Sequence, residues 1–131
     1  MTSIWKGDDV IAVSPLKLTD GSKVEVFKEG DNVKISGLIK GKGFQGVVKR
    51  YSFAGGPKTH GQKNRYRAPG SIGNTSPQRV VPGRKMAGRM GGNKKTIRNL
   101  TVVSVDKDQS TIMVKGSVPG TVKGKLVIVK D

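Results

Sequence analysis

Hydrophobic and polar positions alternate at both ends of the chain and lose that order in the middle. Val33 and Ile35 lie among Asn32, Lys34 and Ser36, the period of two that marks a strand with one buried face. Met1–Trp5 and Val10–Leu18 read as two strands across a polar turn at Lys6–Asp9, because Ile, Val and Trp suit a pleated, half-buried surface. Asp20-Gly21 predicts a turn, and the alternating Val24 and Val26 predict a third strand beyond it. Glu29-Gly30-Asp31 turns the chain into the Val33–Ile35 strand. Phe44–Tyr51, with β-branched Val47 and Val48, is expected to be another. Near the C-terminus Leu100–Val105 and Thr111–Lys115 flank Asp106-Lys107-Asp108-Gln109, the clearest hairpin in the chain. Gly116–Gly120 turns again, and Leu126–Val129 is a last apolar strand.

Between Ser52 and Lys95 no helical or strand period is sustained. A structureless run of that length normally argues against a compact domain. It is glycine-rich and punctuated by proline, as in APGSIG at 68–73 and VPGRKMAGRMGG at 81–92. Short strands with turns between them at both ends indicate a β-barrel or sandwich. The expected organisation is therefore one domain over 1–131, with a β-barrel from 1–51 and 97–131 and an extended loop over about 52–96. A chain of 131 residues holds one modest core, and the Val and Ile of the two ends must supply it.

Charge changes the meaning of the middle. From Asn32 to Val105 there is no Asp or Glu, yet all seven arginines and nine of the lysines lie there. With a formal net charge of +16 and a pI near 10.5, the partner is expected to be a polyanion, nucleic acid first. A loop of this composition can be ordered by RNA, which supplies contacts that the chain cannot. A basic membrane-surface helix is disfavoured by the glycines and prolines. The chain has no cysteine, which removes disulfides, thiolate zinc sites and cysteine nucleophiles and suits a reducing compartment. The N-terminus shows no secretory signal and no apolar run reaches membrane-spanning length, so a soluble, cytoplasmic protein without membrane contact is expected.

Motifs for catalysis or cofactors are weak. Gly41, Gly43 and Gly46 satisfy G-x-G-x-x-G, but Val-Val follows and no acidic residue lies about 20 residues downstream to bind a ribose. Glycines in a bend between strands are the better reading. His60, the single histidine, has no carboxylate near it in sequence and fits base stacking or phosphate binding better than acid–base work. Asp8, Asp9, Asp20, Glu25, Glu29, Asp31, Asp106 and Asp108 mostly fall in turns, where Asp supports the backbone. Asn74-Thr75-Ser76 is a glycosylation sequon without a secretory context. No catalytic residue, metal site or cofactor is expected.

The basic stretch differs from a merely solvated charge run. It is internal, it carries Tyr51, Phe53, Tyr66, Ile72, Val80, Val81, Met86 and Met90 among its charges, and its glycines permit close approach to phosphate. Arginine can clamp phosphate through two bonds and stack on bases. The candidate RNA-binding residues are Lys42, Lys49, Arg50, Lys58, His60, Lys63, Arg65, Tyr66, Arg67, Gly70, Gly73, Arg79, Arg84, Lys85, Gly88, Arg89, Gly91, Lys94, Lys95 and Arg98. The cations would neutralise phosphates, the glycines would admit the backbone, and Tyr66 and His60 would stack on bases.

Gly41-Lys42-Gly43-Phe44-Gln45-Gly46, Thr59-His60-Gly61, Arg67-Ala68-Pro69-Gly70-Ser71-Ile72-Gly73 and Gly83-Arg84-Lys85-Met86-Ala87-Gly88-Arg89-Met90-Gly91 occur in an order that closely resembles the universal large-subunit ribosomal protein number three family. Val114–Gly120 and the early segments Met1–Trp5 and Val10–Val13 extend the resemblance over nearly the whole chain. It implies a six-stranded, translation-protein-like β-barrel with a long internal extension that penetrates large-subunit ribosomal RNA toward the peptidyl transferase region. It further implies an early assembly role rather than catalysis, with ribosomal RNA and neighbouring large-subunit proteins as partners. Two family features are absent, a strand before Met1-Thr2 and an insertion ahead of the Val26–Val33 segment, so the chain looks like a reduced form. An open barrel edge left by the absent strand could invite a homodimer in isolation. Lys63, Asn64 and Tyr66 stand where the family is often histidine-rich. Asn74 follows the Gly-Ser-Ile-Gly motif where some members carry a methylated glutamine, so no such modification is expected. The reading of a different class is a free-standing cationic nucleic-acid binder or RNA chaperone.

Overall fold

The computed structural model describes residues 1–19 and 21–130. The chain divides into two compact units, Met1–Lys40 with Asn93–Asp131, and Gly41–Gly92.

The first unit is a six-stranded antiparallel sheet. Its strands are β1 (Thr2–Lys6), β2 (Asp9–Lys17), β3 (Asn32–Leu38), β6 (Lys94–Asp106), β7 (Thr111–Lys115) and β8 (Leu126–Lys130), paired in the order β1-β2-β7-β6-β3-β8. In the second unit β4 (Gly43–Gln45) pairs with β5 (Gly88–Met90), and a single turn of helix, α1, covers Val47–Tyr51. The all-β expectation holds in this form. A closed barrel is not found: among the described residues no ladder joins β1 to β8, so the sheet ends at those two strands.

β1 and β2 meet at Lys6↔Asp9 across a two-residue turn, with Gly7 at φ 64 in the first central position. β6 and β7 close at Asp106↔Thr111, where the Asp106 carboxylate accepts the Gln109 backbone N–H at 3.1 Å. The expected hairpin is present, but its first strand starts at Lys94 rather than Leu100. Two register shifts explain how one thirteen-residue strand serves two neighbours. The extra residue of β6 opposite Val33 and Ile35 falls at Arg98-Asn99, and Asn99 takes the left-handed φ of 56 that Asn tolerates better than most side chains. A second shift, between Val102 and Ser104, lets β6 pass from β3, along 94–101, to β7, along 102–106. Consecutive Val102 and Val103 are both buried at that bulge.

The core is small and almost wholly Val and Ile. Val33, Ile35, Val102, Ile112 and Val114 form its centre, with Leu16, Phe27, Leu100 and Leu126 among the partly buried residues packed on it. Of the nine buried hydrophobic residues among those described, only Val47 lies in the second unit. Apolar burial therefore holds the first unit together and does little for the second.

Two expected strands are corrected. Val24 and Val26 belong to a 3₁₀ turn, Gly21–Val26, in which Val24 is buried and Val26 exposed. Two valines two positions apart cannot distinguish a strand from a tight turn that buries one of them. The expected Asp20-Gly21 turn falls, at Asp20, outside the described residues. Phe44–Tyr51 is split: Gly46 separates the short strand β4 from α1, in which the Arg50 N–H donates to the Gly46 carbonyl at 3.0 Å. The 52–95 segment, expected to lack regular structure, contains β5 and the start of β6.

The end of β8 is fastened by charge. Lys130 Nζ lies 2.6 Å from Asp31 Oδ2, and the same oxygen accepts the Lys28 backbone N–H at 2.8 Å. The hydrogen bond from Lys130, then that from Lys28, holds the Asp31 carboxyl below the usual aspartate range. Because the folded-state pKa is depressed, this contribution to stability is present above the unfolded value of about 3.9 and is lost as pH falls through the folded one. Asp31→Asn should therefore melt below wild type at neutral pH, and the gap should close at strongly acidic pH in thermal scans. An equal gap at both pH values would contradict this role.

Candidate nucleic-acid interface

Residues 41–92 contain six arginines, five lysines and no acid. Nothing inside this unit can neutralise its cations, so its folding relies on hydrogen bonds and on the faces of aromatic rings.

Arg50 shows how. It stands in the last turn of α1, where a cation suits the helix dipole. Its Nη1 donates to the Met86 carbonyl at 2.7 Å, and its Cζ lies 4.9 Å from the Tyr51 ring centre. Lys85 Nζ approaches the same ring at 5.7 Å. Gly88, in β5, leaves the room for Arg50, since a Cβ there would sit 2.6 Å from Nη1. Arg50, Lys85 and Gly88 are thus brought together around Tyr51. Alongside them, the Lys42 N–H donates to the Met90 carbonyl at 2.8 Å, extending the β4–β5 pair in which Phe44 faces Arg89.

A second group gathers at Tyr66. The Gly56 N–H donates to the Tyr66 carbonyl at 2.8 Å, and Lys58 Nζ stands 5.2 Å from the ring centre. The hydrogen bond from Lys58, helped by the charges of Lys58 and Arg67, lowers the Tyr66 phenol below its ordinary range. Tyr66 is half-buried, with Lys58 standing over its ring. His60 is exposed in a left-handed conformation, φ 59. Arg84 donates through Nη2 to the Ser71 carbonyl, and the Ser71 hydroxyl donates to the Gly73 carbonyl at 2.8 Å.

The remaining candidates are dispersed. Lys49, Lys63, Arg65, Arg67 and Arg79 are exposed, as are Gly70, at φ 79, and Gly73. Arg89 is exposed and its guanidinium lies over Gly92, while Gly91 is buried at φ 75. Lys94, Lys95 and Arg98 are exposed on β6 and belong to the sheet unit. Sequence reasoning did not separate Arg50 and Arg84, whose guanidiniums donate to backbone carbonyls, from the other arginines. It also passed over Tyr51 and Phe53 as site residues, whose rings lie 6.3 Å apart. The adjacency Arg50-Tyr51 was the available signal. The glycine triplet is local structure: Gly43 opens β4 and Gly46 precedes α1, with an antiparallel partner in β5 instead of a parallel crossover. Among the described residues no group of three His, Cys, Asp or Glu could hold a metal ion.

Comparison with known proteins assigns the chain to a family. The family described as Ribosomal protein L3 matches residues 17–112. The chain belongs to the ribosomal protein L3 family. Its family is one of structural proteins, not enzymes, and the resemblance read from the glycine and arginine motifs is borne out. Relatives named large ribosomal subunit protein uL3 include that of Dehalococcoides mccartyi strain BAV1, 50% identical over 94% of this chain and 58% of the relative. That of Chloroherpeton thalassium is 53% identical over 91% of this chain and 58% of the relative. That of Chlorobaculum tepidum is 58% identical over 74% of this chain and 47% of the relative. The L3-family chain described here spans about half the length of these curated relatives.

The Arg50 contacts predict a structural phenotype. Arg50→Met should destabilise the protein by about 1 kcal/mol, the scale of one hydrogen bond from a charged donor at a partly exposed site, and should speed proteolysis within 84–90. Gly88→Ala should act in the same direction by displacing the guanidinium. Unchanged urea midpoints and cleavage rates in both variants would remove Arg50 from the fold's supports.

Proposed function

We propose that the chain is a structural constituent of the large ribosomal subunit that binds and organises large-subunit ribosomal RNA near the peptidyl transferase region and supports early subunit assembly. The observation that carries this reading is the complete absence of Asp and Glu from 32–105, with Lys49, Lys63, Arg65, Arg67, Arg79, Lys94, Lys95 and Arg98 all exposed. Like charges spaced along a glycine-rich chain repel one another until phosphates intervene. On this reading the sheet, formed from the chain ends, is a β-barrel-like platform, and the segment from about 52 to 96 is an extension that enters RNA. Partners are ribosomal RNA and neighbouring large-subunit proteins, in the cytoplasm. Family membership supports this role. It lends no support to the homodimer expected of an open sheet edge. Among the described residues no helix is long and apolar enough to cross a membrane.

A free-standing cationic binder or RNA chaperone shares the same electrostatics and differs in residence. If roughly 6 to 10 phosphates are neutralised, affinity for large-subunit RNA should fall about a thousandfold or more between 50 and 200 mM salt. A flat salt response would rule out the electrostatic mechanism. Sedimentation separates the two readings: the ribosomal constituent stays with large subunits through a high-salt wash, and a loose binder is stripped into the supernatant.

A further inference from the structure

The cations of 41–92 account for attraction to RNA but not for an apolar cleft among them. The cleft, about 890 Å³, lies between two segments of this unit, 53–56 and 65–71. Its apolar lining comes from Phe53, Ala54, Ala68 and Pro69, and Arg65 is the one charged residue that lines it. Both segments are fixed. The Gly56 N–H holds the Tyr66 carbonyl at 2.8 Å, and a Cβ on Gly55, at φ 80, would sit 2.4 Å from that same oxygen. At the far end Arg84 grips the Ser71 carbonyl, and the Ser71 hydroxyl is spent on Gly73. Phe53 is supported from within the unit by Tyr51, their rings 6.3 Å apart and inclined at 41°.

We propose that this cleft accepts one unstacked base of single-stranded ribosomal RNA, with Phe53 as the stacking surface and Arg65 meeting the phosphate beside it. The inference rests on the RNA-binding reading above and names a site within it. A bare phosphate would leave apolar walls facing water, with only one cation to bind it. An apolar peptide would gain nothing from a unit of six arginines and five lysines without an acid. A nucleotide joins a flat apolar ring to a negative charge, which is the pairing that Phe53 and Arg65 offer. Phe53 joins Tyr66 and His60, the residues expected from sequence to stack on bases.

The test uses the full chain, a short labelled oligoadenylate and an abasic ribose-phosphate strand with the same number of phosphates. Wild type should bind the oligoadenylate about tenfold more tightly, the scale of stacking one base on an aromatic ring. Phe53→Ala should abolish that preference, Phe53→Tyr should keep it, and Arg65→Ala should weaken both strands. In unaltered protein a 4-thiouridine oligomer should cross-link within 53–56 or 65–71, a readout that does not depend on any variant folding. Equal affinity for the two strands, or cross-links confined to other segments, would overturn the base site and leave electrostatic RNA binding standing. Failure of wild type to bind either strand would overturn the RNA-binding reading itself.

Discussion

Unrelieved like-charge repulsion in residues 41–92 decides how that unit can be held together. Every carboxylate of the chain lies outside that span, so no internal ion pair can offset its eleven cations. Burial cannot compensate either, since Val47 is its one buried hydrophobic residue among those described. What remains is the use of cations as hydrogen-bond donors to carbonyls and as partners for ring faces. Arg50 on Met86 and Tyr51, Arg84 on Ser71, and Lys58 on Tyr66 are three instances of one solution. Such contacts fix local geometry without removing net charge, which stays available to a polyanion.

The sheet unit is built on the opposite terms. Its Val and Ile core needs no charge, and its acids sit where they stabilise turns and strand ends, as Asp31 does for Lys130 and Asp106 for Gln109. The two bulges of β6 let a single strand pair with β3 along its first part and β7 along its second, which joins the strands into one sheet. Asn99 at a left-handed φ is the local device for the first bulge, and it stands beside Arg98, a candidate phosphate ligand.

Much of this was legible in the sequence because period-two alternation reports a half-buried strand directly. Val33-Ile35, the 100–115 hairpin and Leu126–Val129 were read correctly for that reason. The failures have physical causes. Val24 and Val26 lie in a 3₁₀ turn that buries only Val24, and their spacing in the sequence imitates two strand positions. Val47-Val48 belong to a helical turn, in which the Arg50 N–H donates to the Gly46 carbonyl, despite their β propensity. Barrel closure, carried by the family resemblance, depends on edge pairing that β1 and β8 do not make among the described residues. The candidate site was legible as charge but not as geometry. Composition shows that Arg50, Arg65 and Arg84 are all basic, and cannot show that two of them hold backbone carbonyls while the third lines a cleft.

Apolar burial stabilises the sheet unit, whereas the proposed function has 41–92 completed by a polyanion. Amide hydrogen exchange on the whole chain, free and bound to large-subunit ribosomal RNA, tests it most directly. The account predicts slow exchange in β2, β3, β6 and β7 in both states, and faster exchange in 41–92, outside its few hydrogen-bonded amides, that slows strongly only when RNA is bound. Equally slow exchange in both units of the free protein, or no added protection of 41–92 on RNA, would contradict it.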